Sequence, residues 1–122
     1  MSSVKLTHEL SHVELATRVG VVRALLKVPQ WFDEGLAVLV SADPDFTEAR
    51  WLAATDNGAR APSLDRLRTL GGWLSVDREL SYGTARHEVA RWYARVGRSG
   101  LDRLFAALHA GETFERAYAN AE

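Results

Sequence analysis

Almost nowhere in this chain of 122 residues do apolar and polar side chains alternate, and that constrains its fold more than any other feature. A half-buried strand needs a two-residue period, whereas the apolar residues here recur three and four apart, the period of a helix with one buried face. The expectation is a mainly α fold: a helical bundle with little or no β-sheet. The length suits one domain spanning 1–122. A hydrophobic fraction of 47% with 25% charged residues is enough to build a core, and excludes wholesale disorder.

Glycine, proline and polar clusters divide the chain. Residues 4–19 read as a first helix, with Leu6, Leu10, Val13 and Thr17 on one side and His8, His12, Leu15 and Val19 on another. Apolar residues on both sides predict a helix packed on several faces, with Gly20 as its stop. Residues 21–27 read as a short helix or an extended connection, and Pro29 biases the residue before it away from helix. A second helix over 30–42 would bury Trp31, Leu36, Leu39 and Val40 and end in Ser41-Ala42-Asp43-Pro44-Asp45. Residues 47–55 supply a helical turn or two, followed by a turn at Asp56-Asn57-Gly58. The C-terminal helical part covers 62–121. Pro62-Ser63 would start a helix with Leu64, Leu67 and Leu70 inward, broken by Gly71-Gly72. A long helix over 79–96 would stop at Gly97, Ser99 would cap another over 100–109, and a last helix would span 113–121. Trp31, Trp51, Trp73 and Trp92 all sit in apolar contexts and are expected in the core.

Fifteen basic against sixteen acidic residues leave a net charge of −1, with no field to attract nucleic acid. The absence of cysteine excludes disulfides, thiolate metal sites and Cys nucleophiles, so any metal must be held by His, Asp or Glu. No apolar run approaches the ~20 residues of a membrane span. Met1-Ser2-Ser3-Val4-Lys5 lacks a signal-peptide layout, which makes the cytoplasm the default location unless the chain comes from a longer precursor.

Against that background one segment stands out: His8-Glu9-Leu10-Ser11-His12. On a helix, residues four apart share a face with Cβ atoms ~5–6 Å apart, so two imidazoles can converge on one ion at ~2.0–2.1 Å. Glu9 is rotated about 100° from His8, unable to ligate the same ion easily but able to reach a water beside it. The competing explanation is coincidence, with two ordinary core or surface histidines. Two histidines leave zinc a ligand short. Trp31-Phe32-Asp33-Glu34-Gly35-Leu36-Ala37 offers a carboxylate on the next helix, Glu34 being the better ligand. Taken alone, Asp33 and Glu34 are equally a pair of solvated charges at a helix N-terminus. Asp33 would then either orient a ligand histidine or stand exposed.

The pairing of His8-Glu9-Leu10-Ser11-His12 with Trp31-Phe32-Asp33-Glu34-Gly35-Leu36-Ala37 resembles the gluzincin metallopeptidases, and more narrowly the peptidase-MA-like group. Ala61-Pro62-Ser63-Leu64-Asp65-Arg66-Leu67, Ser81-Tyr82-Gly83-Thr84-Ala85 and Gly111-Glu112-Thr113-Phe114-Glu115-Arg116-Ala117-Tyr118 are similar to later landmarks of that group, in the same order. The resemblance implies one Zn2+ per chain held by His8, His12 and Glu34, with Glu9 as catalytic base and proton shuttle. It implies a peptide or protein substrate, and an oxyanion-stabilising role for Tyr82, whose alternative is a core tyrosine with its hydroxyl at the surface. His87 reads as a partly exposed helix residue that could line the cleft. His109 reads as a cation near a helix C-terminus.

Gluzincins place a β-sheet lobe before the metal helix, and here His8 lies too near the start for one. Three explanations follow: the chain is a piece of a longer protein, a second copy or a partner supplies the missing rim, or the site holds zinc without efficient peptide hydrolysis. An exposed apolar face on the first helix is a further expectation. The alternative to a peptidase is a zinc-binding helical module, weak or inactive as a catalyst, that acts through a protein partner.

Overall fold

The computed structural model describes residues 3–19 and 28–122. Gly20 as a helix stop and the reading of 21–27 lie outside the described residues. The described residues form helices α1 (Ser3–Val19), α2 (Gln30–Ser41), α3 (Glu48–Ala54), α4 (Leu70–Leu74), α5 (Arg78–His109) and α6 (Phe114–Ala119), with no strand among them. The fold is mainly α. No described helix is long and apolar enough to cross a membrane.

Helix α2 is the central element, packed between α1 and α5. Its first turn explains its position. Pro29 precedes it in an extended conformation (φ −63°, ψ 147°), and no side chain caps it. Instead, the N–H groups of Gln30 and Trp31 donate to the carbonyls of Arg68 and Leu67, and those of Phe32 and Asp33 donate to Pro29. The orphan donors of the helix start are thus met by a distant loop and by the preceding proline. This ties α2 to the 64–68 segment, where Leu67 is fully buried.

The helix expected from Pro62-Ser63 does not form. Two overlapping turns stand there instead, closed by Leu67 N–H to Ser63 and Arg68 N–H to Asp65. The Leu67 and Arg68 carbonyls that follow these turns receive the first N–H groups of α2. Leu70 points outward, 58% exposed, not into the core. Gly71 and Gly72 do not break a helix but lie within α4, whose cap Thr69 accepts from the Gly72 N–H through its hydroxyl.

The core lies between α2, α5 and α6. Phe32 and Trp92 meet edge to face at 5.6 Å, Trp92 stacks on Tyr118 at 4.8 Å, and Trp31 and Phe114 close the cluster at 5.7 Å. Fully burying such a side chain contributes about 1.5–3 kcal/mol, and well-set ring pairs add about 0.5–1.5 kcal/mol. All four tryptophans are buried, as expected from their contexts. Val40 is not: it is half exposed, in grooves that α5 residues such as Leu101 also line.

Helix α5 runs through the two helices expected at 79–96 and 100–109. It continues across a kink at Gly97, whose φ of 66° and ψ of −171° leave the helical region. The positive φ favours glycine there. The interruption is therefore Gly97 itself, and Ser99 lies beyond it, inside the continuing helix, without a capping role. The turn at Asp56-Asn57-Gly58 is present, with all three residues at positive φ. Helices α3 and α6 are capped by Thr47 and Thr113, each accepting an N–H three residues on.

Helix α1 packs by one stripe, contrary to the expectation of several. Leu15 is buried and His8 and His12 are half-buried, while Leu6, Leu10 (56%) and Val13 (60%) are exposed. Helices α2 and α5 cover the buried stripe. The exposed apolar face is the one anticipated on the first helix.

Candidate metal centre

Residues 8, 12 and 15 lie one turn apart on α1, so the stripe that seats Leu15 against the core also turns His8 and His12 toward α2. Their ring centroids stand 4.7 Å apart. Glu34 meets them from the N-terminal half of α2, buried apart from a small fraction of its surface. His12 Nε2 lies 2.8 Å from Glu34 Oε1, and His8 Nε2 lies 3.6 Å from Glu34 Oε2. One ligand atom from each of His8, His12 and Glu34 lies within 4.8 Å of the others.

Gly35 allows this. Helix α2 comes so close to α5 beside Glu34 that a Cβ on residue 35 would stand 2.5 Å from the Ala85 carbonyl oxygen and 2.8 Å from Val89. Only glycine permits that approach.

Asp33 is not a bystander. Its Oδ1 accepts from His12 Nδ1 at 2.7 Å, which turns Nε2 toward Glu34. A carboxylate behind the imidazole fixes ring and tautomer in this way at many metal sites. With carboxylates at both nitrogens, His12 favours the imidazolium. Its pKa is raised to about 10, chiefly by the bond to Asp33 and next by that to Glu34, against the opposing effect of burial. Burial pushes the Glu34 carboxyl upward, but hydrogen bonding from His12 and Tyr82 and the nearby histidines outweigh it, and its pKa is lowered. Tyr82 is pushed up to about 12 by burial and by the neighbouring Glu34 carboxylate.

Tyr82 enters the site from the start of α5. Its ring lies 6.4 Å from that of His8, stacks on Phe46 at 4.9 Å and meets the edge of Trp73 at 5.0 Å. Glu9 is exposed and projects beside His8 into a cavity of about 600 Å³ that Phe46, Arg78 and Tyr82 also line. All five residues singled out from the sequence, His8, Glu9, His12, Glu34 and Tyr82, are therefore at one place.

Two other histidines are not. The Nδ1 of His87 is 2.9 Å from Glu48 and its ring stacks on Trp51 at 3.9 Å, so it ties α3 to α5 and does not line this cavity. His109 is exposed at the end of α5. Sequence reasoning missed Arg78, Phe46, Asp43 and Asp45 as cavity-lining residues. One signal was present: Arg78 is one helical turn before Tyr82, so whatever Tyr82 faces, Arg78 faces too.

The donor set suits zinc. Two imidazoles and a carboxylate make a three-ligand set that leaves a fourth position open. Tetrahedral ligands at ~2.0–2.1 Å from an ion stand roughly 3.4 Å apart. His12 Nε2 and His8 Nε2 face different oxygens of the Glu34 carboxylate, at 2.8 and 3.6 Å, and ligand atoms of the three residues lie within 4.8 Å of one another. Comparison with family models, curated proteins and solved structures yields no match.

Proposed function

We propose that this chain is a zinc-dependent metallohydrolase of gluzincin type, and that its reaction is the hydrolysis of peptide bonds. The observation that carries the reading is the convergence of His8, His12 and Glu34 from two helices, with Asp33 holding the outer nitrogen of His12. Those three residues would hold the ion. When bound, zinc supplies Lewis acidity and a water acidified toward neutrality.

The remaining chemistry belongs to the side chains. Glu9 stands beside His8 in the open cavity, where it takes the proton of the attacking water and delivers it to the leaving amine. Tyr82 keeps its proton at neutral pH, and on turning from the Glu34 carboxylate it can donate its hydrogen bond to the oxyanion that develops on the scissile carbonyl. Asp33 keeps His12 oriented. Phe46, itself buried, backs the Tyr82 ring in the cavity wall.

The test is a zinc-loaded preparation assayed on a broad peptide library beside Glu9→Gln. Cleavage by the parent protein, lost in Glu9→Gln at unchanged zinc content, supports the reading. Near-parental cleavage by Glu9→Gln overturns the mechanism.

A second reading is favoured by one observation. Leu10 on α1 and Val40 on α2, both at least half exposed, line a common groove of about 290 Å³ near the metal helix. Such a surface fits a zinc-stabilised helical module that acts through a protein partner. Strong stabilisation by zinc with no cleavage of any library member favours this reading over the enzyme.

A further inference from the structure

The cavity beside His8 and Glu9 holds a guanidinium that the proposed chemistry does not use. Arg78 lies over the Tyr82 ring at 4.7 Å and over the Phe46 ring at 5.4 Å. Those two rings are themselves stacked at 4.9 Å. Arg78 is otherwise exposed, and no carboxylate among the described residues pairs with it. It also hydrogen-bonds the Tyr82 hydroxyl. An arginine laid on aromatic faces loses less freedom when its remaining N–H groups bind. Tyr82 stands between it and His8, whose ring centroid is 6.4 Å from that of Tyr82. A guanidinium so placed is within about three residues of a peptide group held at the histidines.

Three carboxylates, those of Glu9, Asp43 and Asp45, share the lining with it, and none of them forms an ion pair with Arg78. Asp43 Oδ1 accepts the Asp45 N–H at 2.9 Å. Glu9 stands at the His8 end, and Asp45 is exposed beside Phe46. Lys5 adds a second cation to the lining.

We propose that Arg78 is a specificity determinant that binds a carboxylate of the substrate peptide, either its C-terminal carboxylate or an acidic side chain near the scissile bond. The inference rests on the peptidase reading for its substrate. The binding itself is tested apart from turnover.

The experiment uses zinc-loaded Glu9→Gln protein and the same protein carrying Arg78→Gln. Three otherwise identical neutral pentapeptides are titrated in: one with a free C-terminal carboxylate, one amidated, and one amidated with a single Glu. Affinity is read from tryptophan fluorescence, since Trp73 packs on Tyr82. A charge-assisted, forked contact makes one of the two carboxylate peptides bind about tenfold or more tightly than the neutral amide. Which of them gains identifies the source of the carboxylate. Arg78→Gln abolishes that preference and leaves the neutral amide's affinity unchanged. Merely structural support of Tyr82 by Arg78 would instead weaken all three peptides alike, and that result overturns the proposal. So does equal binding of the three peptides to the parent protein, or no binding by any. Carboxylate preference without cleavage by the unmutated protein sinks the peptidase reading and leaves the Arg78 site standing. Cleavage without the preference does the reverse.

Discussion

Replacing Gly35 by alanine perturbs the contact that sets where Glu34 sits. The added Cβ would lie 2.5 Å from the Ala85 oxygen, 2.7 Å from its carbonyl carbon and 2.8 Å from Val89 Cγ2. Ordinary contact begins near 3.4 Å, so α2 and α5 must separate locally by a good part of an ångström, and a backbone carbonyl cannot rotate aside. Overpacking of this kind costs about 1–3 kcal/mol. Alanine's better helix propensity returns up to about 1 kcal/mol. The expected net loss is about 1–2 kcal/mol, or a melting temperature lower by roughly 4–8 °C for a domain of this size. The control is Gly71→Ala: that glycine is exposed, helical, and has nothing within 4 Å of the position a Cβ would take. It is expected to be neutral or to stabilise by up to about 1 kcal/mol. Thermal melts of the three metal-free proteins, followed by circular dichroism, measure the difference. Zinc titrations of the same proteins should show weaker binding in Gly35→Ala and none of that loss in Gly71→Ala. If Gly35→Ala melts at or above the parent and binds zinc as well, the close α2–α5 approach does not position Glu34, and the reasoning fails.

Asp33→Asn keeps the size of the side chain but removes the charge behind His12, and is expected to weaken zinc about 10–100-fold by titration against a chelator of known affinity. The pH dependence has a definite sign. In the metal-free protein His12 titrates near pH 10, above its usual 6.5, so its pairing with Asp33 and Glu34 contributes stability fully below pH 6.5 and loses it as pH rises toward 10. Zinc must displace that proton. Its affinity should therefore climb about tenfold per pH unit between about pH 7 and 9, with close to one proton released per zinc by calorimetry in buffers of different ionisation heat. An affinity independent of pH over that range would show that His12 is not a ligand or is not held as an imidazolium. Gly97→Ala puts a side chain at φ 66° and ψ −171°, a region open essentially to glycine alone, with no atom within 4 Å of its Cβ, so its cost is conformational, about 1–3 kcal/mol by denaturant unfolding.

The helical class and the convergence of His8, His12 and Glu34 were legible because both rest on the spacing of residues along helices. The four-residue step from His8 to His12 fixes their common face wherever α1 lies, and Glu34 follows Trp31 and Phe32 on a helix whose apolar face is unmistakable. What spacing could not reveal was pairing with distant backbone. The Pro62-Ser63 segment carries good helix-start residues, yet it folds as turns, and Leu67 and Arg68 give their carbonyls to α2, a partner far earlier in the chain. Nor does periodicity say which of two apolar stripes is covered: Leu6, Leu10 and Val13 look as suited to burial as Leu15, and only the positions of α2 and α5 decide between them. Leu70 differs from expectation because the helix that was to turn it inward does not form. Gly97 does interrupt the helical conformation, but α5 absorbs it as a kink, so Ser99 has nothing to cap. An isolated arginine such as Arg78 carries no pattern until Tyr82 is known to face the cavity.

The most direct measurement of the central claim is zinc stoichiometry, by mass spectrometry of the native protein and by titration, for the parent chain beside Glu34→Ala. About one zinc per chain in the parent, with binding lost or greatly weakened in Glu34→Ala, is the expected result. A parent chain that takes up no zinc even in excess, or a Glu34→Ala protein that holds it equally well, contradicts the three-ligand site formed by His8, His12 and Glu34.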